Sequence, residues 1–516
     1  MGSNLKAIGW LTGLKLAGAV AGLLYAVLRV RYFGAARDIE VFFAAQSIVY
    51  LVSSLTQSGQ LSEVFLPVYV QLREQVSRRA AQAALSVTLN RLLLFVVAFG
   101  VVAYFAAPWV MRAFVPGFPP PDQASATTIF RALLPLIGLT VLGSFINTSL
   151  NAERVFGRVE ATALANSVLS TVFLIAFYDR LGVWVLVCAL YVGKAIELLI
   201  AAVFLRKQEY RHTWALAAEG FEHGDFFRTV YATGGYTLGT QLLNWSMTAS
   251  LSLLPAGLLA VYNHVQRLLP KINAVLAKPV STVFFTHINE RVHAGDAPSD
   301  IRVEVGTYVR AALVVGAGVF VIAAAAGPTA LRALWGSASM SDAEFGYAGV
   351  FFTGLMLAFA FQIFHSIYRR YSIALGLASR NYVWATVLQF VSAGLVFLLA
   401  TRFGPLGFLA GVLLNKFSHS AIAPLLVAQR SPDYANVGGI GFWTRYVITL
   451  AIGGGLAVAA RAPVSAWLQA VNVAVVPESV VVTVVLAVLS ATLFVLLAAP
   501  LGLLPKLGAF QRAPRR

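Results

Sequence analysis

An all-α polytopic membrane protein of about fourteen transmembrane helices is expected from this sequence, built as two pseudo-symmetric six-helix lobes followed by two C-terminal helices. Three observations lead there. The 516 residues are 59% hydrophobic and only 11% charged, and the mean hydropathy of +0.78 lies far above that of a water-soluble chain. Apolar runs of about twenty residues recur from end to end, each long enough to cross roughly 30 Å of hydrocarbon as a helix, whereas a β-barrel needs short alternating segments. Two pairs of segments also repeat at one offset of roughly 220 residues, as duplicated bundles would. These are "SEVFLPVYVQLRE" with "STVFFTHINERV", and "LNAERVFGRVEATALANSVL" with "LGLASRNYVWATVLQFVSAG".

Taken in order, the first span begins near Ile8, carries Lys15, and is followed by "RVRYFGAARD" rather than a small-residue cleavage site, so it is read as a retained helix. The second, from Val41, is rich in polar residues. The third and fourth, from Leu85 and Ile129, hold Arg91 and Arg131 near their ends, where long side chains reach the headgroups. The fifth and sixth start near Glu160 and Gly182, and the sixth contains Lys194, Glu197 and the single Cys188, read as a small core residue. One cysteine excludes an internal disulfide. The seventh and eighth spans, from Val230 and Ala256, are, with the second, the most polar. The remainder begin near Tyr308, Tyr347, Tyr382, Pro405, Phe442 and Val480.

The division that follows is residues 1–205 for the first lobe, 206–229 for a cytoplasmic interfacial linker, 230–429 for the second lobe, and 430–516 for two added spans and a basic tail. The linker "RKQEYRHTWALAAEGFEHGDFFRT" mixes aromatics and charges, which suits a helix on the membrane surface or a plain solvated connection. With the N-terminus inside, about 22 Lys/Arg fall in cytoplasmic segments and about 8 outside. Both termini are therefore expected in the cytoplasm. The net charge of +17 reads as topogenic with some attraction to anionic lipids, so no nucleic acid partner is called for.

The eighth span raises the functional question. On one continuous helix His264, Arg267, Lys271 and Lys278 fall on a single stripe, the three cations within about 40° of one another. Three such charges facing lipid would cost on the order of 8 to 10 kcal/mol. A wet cavity holding an anionic ligand removes most of that cost. Snorkelling of Lys278 and pairing of Arg267 with a carboxylate are the plainer alternative. Pro270 and Pro279 interrupt the hydrogen-bond ladder in the same segment, permitting a bend. Lys15 and Lys416, the latter within "NKFSHS", are further cavity candidates. Lys194 and Glu197, spaced i, i+3, form either part of a polar path or an intrahelical ion pair. Glu63, and Gln241 with Asn244, line such a path or bond between helices.

No Walker loop, H-E-x-x-H, paired-cysteine metal pattern or G-x-S-x-G occurs, so no cofactor, metal or ATP engine is expected. A membrane glycosyltransferase using Asp38 and Glu40 of "RDIE" would need an external platform, and the external loops are short. A small-cation exporter would want cavity carboxylates, and the stripe has the opposite sign.

Several stretches resemble the MviN/MurJ lipid II flippases. "YFGAARDIEVFFAAQSIVYLVSSLTQSGQLSEVFLPVY" is similar to the family's opening, with Glu40 at the acidic position before Phe42 and Phe43. "APWVMRAFVPGF", "INTSLNAERVFG" and "YNHVQRLLPKINAVLAKPVSTVFF" resemble three further family segments. The resemblance implies a MOP-superfamily transporter. It would move an undecaprenyl-diphosphate-linked glycan from the inner to the outer leaflet of a bacterial inner membrane by alternating access, as a monomer among membrane lipids, with Arg267 matching a diphosphate-binding arginine; Glu40 is a candidate for the gating or polar path. The family's first-span arginines fall on Ala19 and Tyr25, and its second-span pair on Ser53 and Ser54. An exopolysaccharide or O-antigen repeat unit is therefore an open alternative to lipid II.

Overall fold

The computed structural model describes residues 2–57, 69–152, 158–217, 223–336, 340–436, 438–471, 478–501 and 503, and among them there are helices and connections but no strand. Nine helices of the described residues are long and apolar enough to cross a membrane, so this is a multi-pass membrane protein. The expected first, second, seventh and eighth spans also form helices but are not among these nine.

Contacts divide the chain into two units, Met1–Ala260 and Val261–Arg516. In the first, α1 (Gly2–Phe33) packs on α5 (Arg158–Leu181), and α5 on α6 (Trp184–Lys207). Helix α4 (Pro120–Ala152) touches α2 (Arg37–Gln57), α3 (Arg78–Phe114) and α6, and α7 (His223–Ser252) lies against α2. Helix α3 begins at Ser77, whose hydroxyl accepts from the Ala80 amide at 3.1 Å and satisfies one of the first-turn donors. At 37 residues it is about 55 Å long and exceeds the hydrocarbon thickness, so part of it stands outside. Near its far end Gly117 is irreplaceable on steric grounds: a Cβ there would lie 2.1 Å from the Ser252 carbonyl oxygen.

In the second unit α11 (Pro298–Trp335) is the central element, flanked by α12 (Asp342–Phe359), α13 (Gln362–Ala374), α15 (Ile440–Ala459) and α17 (Glu478–Ala498). Around it Phe320, Phe359, Ile363, Tyr368, Tyr446 and Leu486 form one buried apolar cluster. Helix α14 (Ala378–Arg430) is nominally continuous, but Gly404 at φ 64°, ψ −145° breaks it just before Pro405. Only glycine takes that conformation without strain. The two halves fold against each other, because a Cβ on Gly411 would sit 2.8 Å from the Cα of Val396, fifteen residues earlier. In a straight helix those residues would be about 22 Å apart. Thus the eleventh and twelfth expected spans are the arms of one hairpin. Helix α16 (Arg461–Val471) precedes α17.

The expected eighth span is in three pieces: α8 (Leu258–Gln266), α9 (Leu269–Leu276) and α10 (Lys278–Ala294). Pro270 stands in the first turn of α9 and Pro279 in that of α10. Neither has an N–H to give the carbonyl four residues back, so helices tend to restart at such positions.

Candidate functional site

The break at Arg267 and Leu268 decides how the charged residues of this segment are presented. On α8, Val261, His264 and Val265 share a face and are all buried. His264 is 2% exposed, its ring centroid 6.2 Å from that of Trp335. Tyr262 packs edge-on against Phe351 and Phe408 at 5.6 and 4.8 Å. Arg267 and Lys271, four apart, are both half-buried. Lys271 has no carboxylate within ion-pairing distance among the described residues. His264 is thus buried against Trp335, while Arg267 and Lys271 stay partly open. Lys15 and Lys278 are helical residues whose side chains are outside the described set, and Glu63 lies outside the described residues altogether.

The start of α8 is held by an acid from far away in the chain. Glu40, in the first turn of α2, is 1% exposed. Its Oε1 accepts from the amides of Leu259 at 3.0 Å and Ala260 at 3.4 Å. These are second and third residues of α8, so the carboxylate occupies the place of a capping group at the positive end of the helix dipole. Its Oε2 takes a 2.7 Å bond from Arg37, whose Nε donates to Asp122 at 2.7 Å. The guanidinium carbon of Arg37 lies 3.9 Å from the centroid of Phe118. Beside this network the Trp245 indole donates to the Ala113 carbonyl at 3.1 Å, and the Gly117 amide to the Ser252 hydroxyl at 3.3 Å. The ends of α2, α3, α4 and α7 are thus tied together around the start of α8.

Elsewhere in the first unit Lys194 and Glu197 form a 2.7 Å ion pair on α6, and Asn147 of α4 donates to the other Glu197 oxygen at 3.1 Å. Asn244 donates to Gln241 at 3.4 Å, a bond within one turn of α7. In the second unit Lys416 lies on the second arm of α14, exposed at the surface of that unit. On α13 and α14 the Nδ1 of His365, the Nε2 of His419 and the side-chain oxygens of Gln389 and Asn415 have no hydrogen-bond partner among the described residues. No three described His, Cys, Asp or Glu side chains come together as a metal site would need.

Sequence reasoning singles out Glu40 but misses its partners. Arg37 is three residues away and readable as an i, i+3 pair, whereas nothing local marks Asp122 or the α8 amides. His365 and His419 carry a signal that the cationic stripe overshadows, since ionisable residues inside spans are uncommon.

The sequence profile described as "Lipid II flippase MurJ" matches residues 30–478. The chain belongs to that family. Among curated MurJ proteins, the lipid II flippase MurJ of Burkholderia cenocepacia is 24% identical over 296 residues, 55% of this chain and 57% of that protein. A probable lipid II flippase MurJ of Buchnera aphidicola is 23% identical over 292 residues, 55% and 56% of the two chains. Each match thus spans little more than half of the relative's length. A solved structure described as lipid II flippase MurJ, inward closed conformation, superposes with TM-score 0.74 at 15% identity, covering 95% of this chain and 99% of that one. An inward-facing multidrug resistance MATE family transporter of the MOP superfamily follows at TM-score 0.64 and 14% identity, covering 81% and 94%. At such identities the likeness is one of fold.

Proposed function

We propose that this MurJ-family protein is a transporter, not an enzyme, and that it carries a polyprenyl-diphosphate-linked cell-envelope glycan precursor across the bacterial inner membrane. Movement is from the inner to the outer leaflet by alternating access. The observation that carries this reading is the pair Arg267 and Lys271, half-buried where the expected eighth span breaks, with no described acid to neutralise Lys271. A diphosphate supplies the missing charge and accepts the short, charge-assisted hydrogen bonds that guanidinium and ammonium groups make. Lys15 and Lys278 remain sequence-based candidates for further substrate-binding charge, and Glu40 holds the start of α8 while the pathway is closed on that side. Both chain ends lie in the cytoplasm, and the unit of function is the monomer.

Arg267→Ala combined with Lys271→Ala should abolish outward translocation in cells depleted of their own flippase, with expression and thermal stability unchanged. Normal translocation by the folded double variant would remove the reading. Lipid II is the first substrate to assay. Ala19, Tyr25, Ser53 and Ser54, where the family resemblance leads one to expect arginines, favour testing exopolysaccharide and O-antigen repeat units alongside it.

A further inference from the structure

Between Gln208 and Leu216 the chain leaves α6 and runs without helical turns along the first third of α3. Glu209, at φ 57°, makes the reversal. From there a ladder of side chains on α3 holds the segment. Gln82 donates to the Gln208 carbonyl at 3.1 Å, and Arg78 to the Gln208 side-chain oxygen. The Ser86 and Tyr210 hydroxyls are 2.8 Å apart, and the Thr213 amide donates to Ser86 at 3.4 Å. Asn90 donates to the carbonyls of Thr213 and Ala215 at 2.8 and 2.9 Å, and Arg91 to that of Leu216 at 2.8 Å. Positions 78, 82, 86 and 90 recur every four residues, so they line one face of the helix over about 20 Å. Burial against α3 raises the pKa of the Tyr210 hydroxyl, a shift that its bond to Ser86 opposes.

What this strap turns outward differs from what it turns toward α3. Trp214 is 81% and Leu216 51% exposed, and the Trp214 ring stands edge-on to His212 at 4.9 Å. Arg206, Lys207, Arg211, Arg78 and Arg79 are exposed around them, against the single acid Glu209 on the strap. The depth is defined by α3 itself. Arg91, which holds the last carbonyl, is followed immediately by the apolar run from Leu92, and Leu94, Phe95 and Val97 on that run are each more than half exposed. Such residues on a membrane-spanning helix face acyl chains, so the strap ends where the hydrocarbon begins.

We propose that residues 206–216 form a binding surface for an anionic lipid leaflet. Trp214 and Leu216 enter the boundary between headgroups and acyl chains, as interfacial tryptophans do. Arg206, Lys207, Arg211 and Arg78 meet the lipid phosphates. The ladder to α3 fixes the surface at that height, which a free connection between lobes would not.

The test places an environment-sensitive fluorophore on Trp214→Cys in a Cys188→Ala background, reconstituted in phosphatidylcholine vesicles with increasing phosphatidylglycerol. A blue-shifted emission quenched by brominated lipid, strengthening as phosphatidylglycerol rises, is expected. Arg206→Gln with Lys207→Gln and Arg211→Gln should weaken the phosphatidylglycerol preference by roughly tenfold or more, because each cation near the surface contributes separately. Emission typical of water, quenched by aqueous iodide and indifferent to headgroup charge, would overturn the proposal and point to a free surface or a soluble partner. Mass spectrometry of co-purified lipids gives a second reading that needs no label, and equal phosphatidylglycerol retention by both proteins would also overturn it.

Discussion

Replacing Glu40 by glutamine should loosen the start of α8 without unfolding the protein. Glutamine keeps the size and one carbonyl oxygen for the Leu259 and Ala260 amides, but it removes the negative charge. What is lost is the 2.7 Å ion pair with Arg37 and the charge assistance to two amide bonds of 3.0 and 3.4 Å. Arg37 retains Asp122 at 2.7 Å, so its guanidinium is not stranded. Hydrogen bonds to charged groups contribute about 1.5–3 kcal/mol each, and a helix-capping charge about 0.5–1 kcal/mol. The amide bonds survive in neutral form, which places the net loss at about 2–4 kcal/mol. If this network holds one conformation closed at that end, the loss shifts the opening equilibrium by roughly 30- to 1000-fold. The measurement is the rate at which a membrane-impermeant maleimide labels Leu259→Cys in intact cells, the native Cys188 having been changed to alanine. Labelling should rise at least about tenfold in Glu40→Gln, while Glu40→Asp lies between. Equal labelling of the folded parent and its Glu40→Gln variant would mean that the carboxylate contributes nothing to closure, and the account of this end of the pathway would fall.

Other consequences can be checked alongside. Gly117→Ala puts a methyl 2.1 Å from the Ser252 oxygen, so α3 and α7 must separate, and the thermal midpoint in detergent should fall by an amount corresponding to about 1–3 kcal/mol; an unchanged midpoint would mean these helix ends are not in contact. Glu197→Leu leaves Lys194 unpaired in a span and should destabilise by about 3 kcal/mol, whereas Lys194→Met with Glu197→Leu should recover most of it. Stable double-variant protein that fails to transport would assign the pair to the pathway rather than to insertion.

Much of the architecture was legible in the chain because its causes are local. Hydropathy marks a span wherever about twenty residues are apolar, since the bilayer imposes that length on any helix. Gly404 with Pro405 announces a break for the same kind of reason, as does Pro270: backbone conformation and a missing N–H act within one turn. The weakest sequence signals, the second, seventh and eighth spans, are also where the structure is least like a plain apolar rod. Those helices carry the polar groups that packing puts to use: α2 carries Glu40, α7 carries Gln241 and Asn244, and α8 begins on Glu40 itself.

Read from the chain alone, local chemistry dictates which stretches meet lipid, where helices start and break, and that Arg267 and Lys271 put two positive charges four residues apart inside one span. Long-range packing was needed to show that His264 is buried against Trp335, and that Glu40 caps a helix 219 residues away in the chain. The sharing of Arg37 with Asp122 emerged the same way. A stripe drawn on one helix gives directions around its axis and says nothing of which directions other helices cover. A hydrogen bond between distant segments, moreover, is specified by the packing of every helix between them and leaves no periodicity behind.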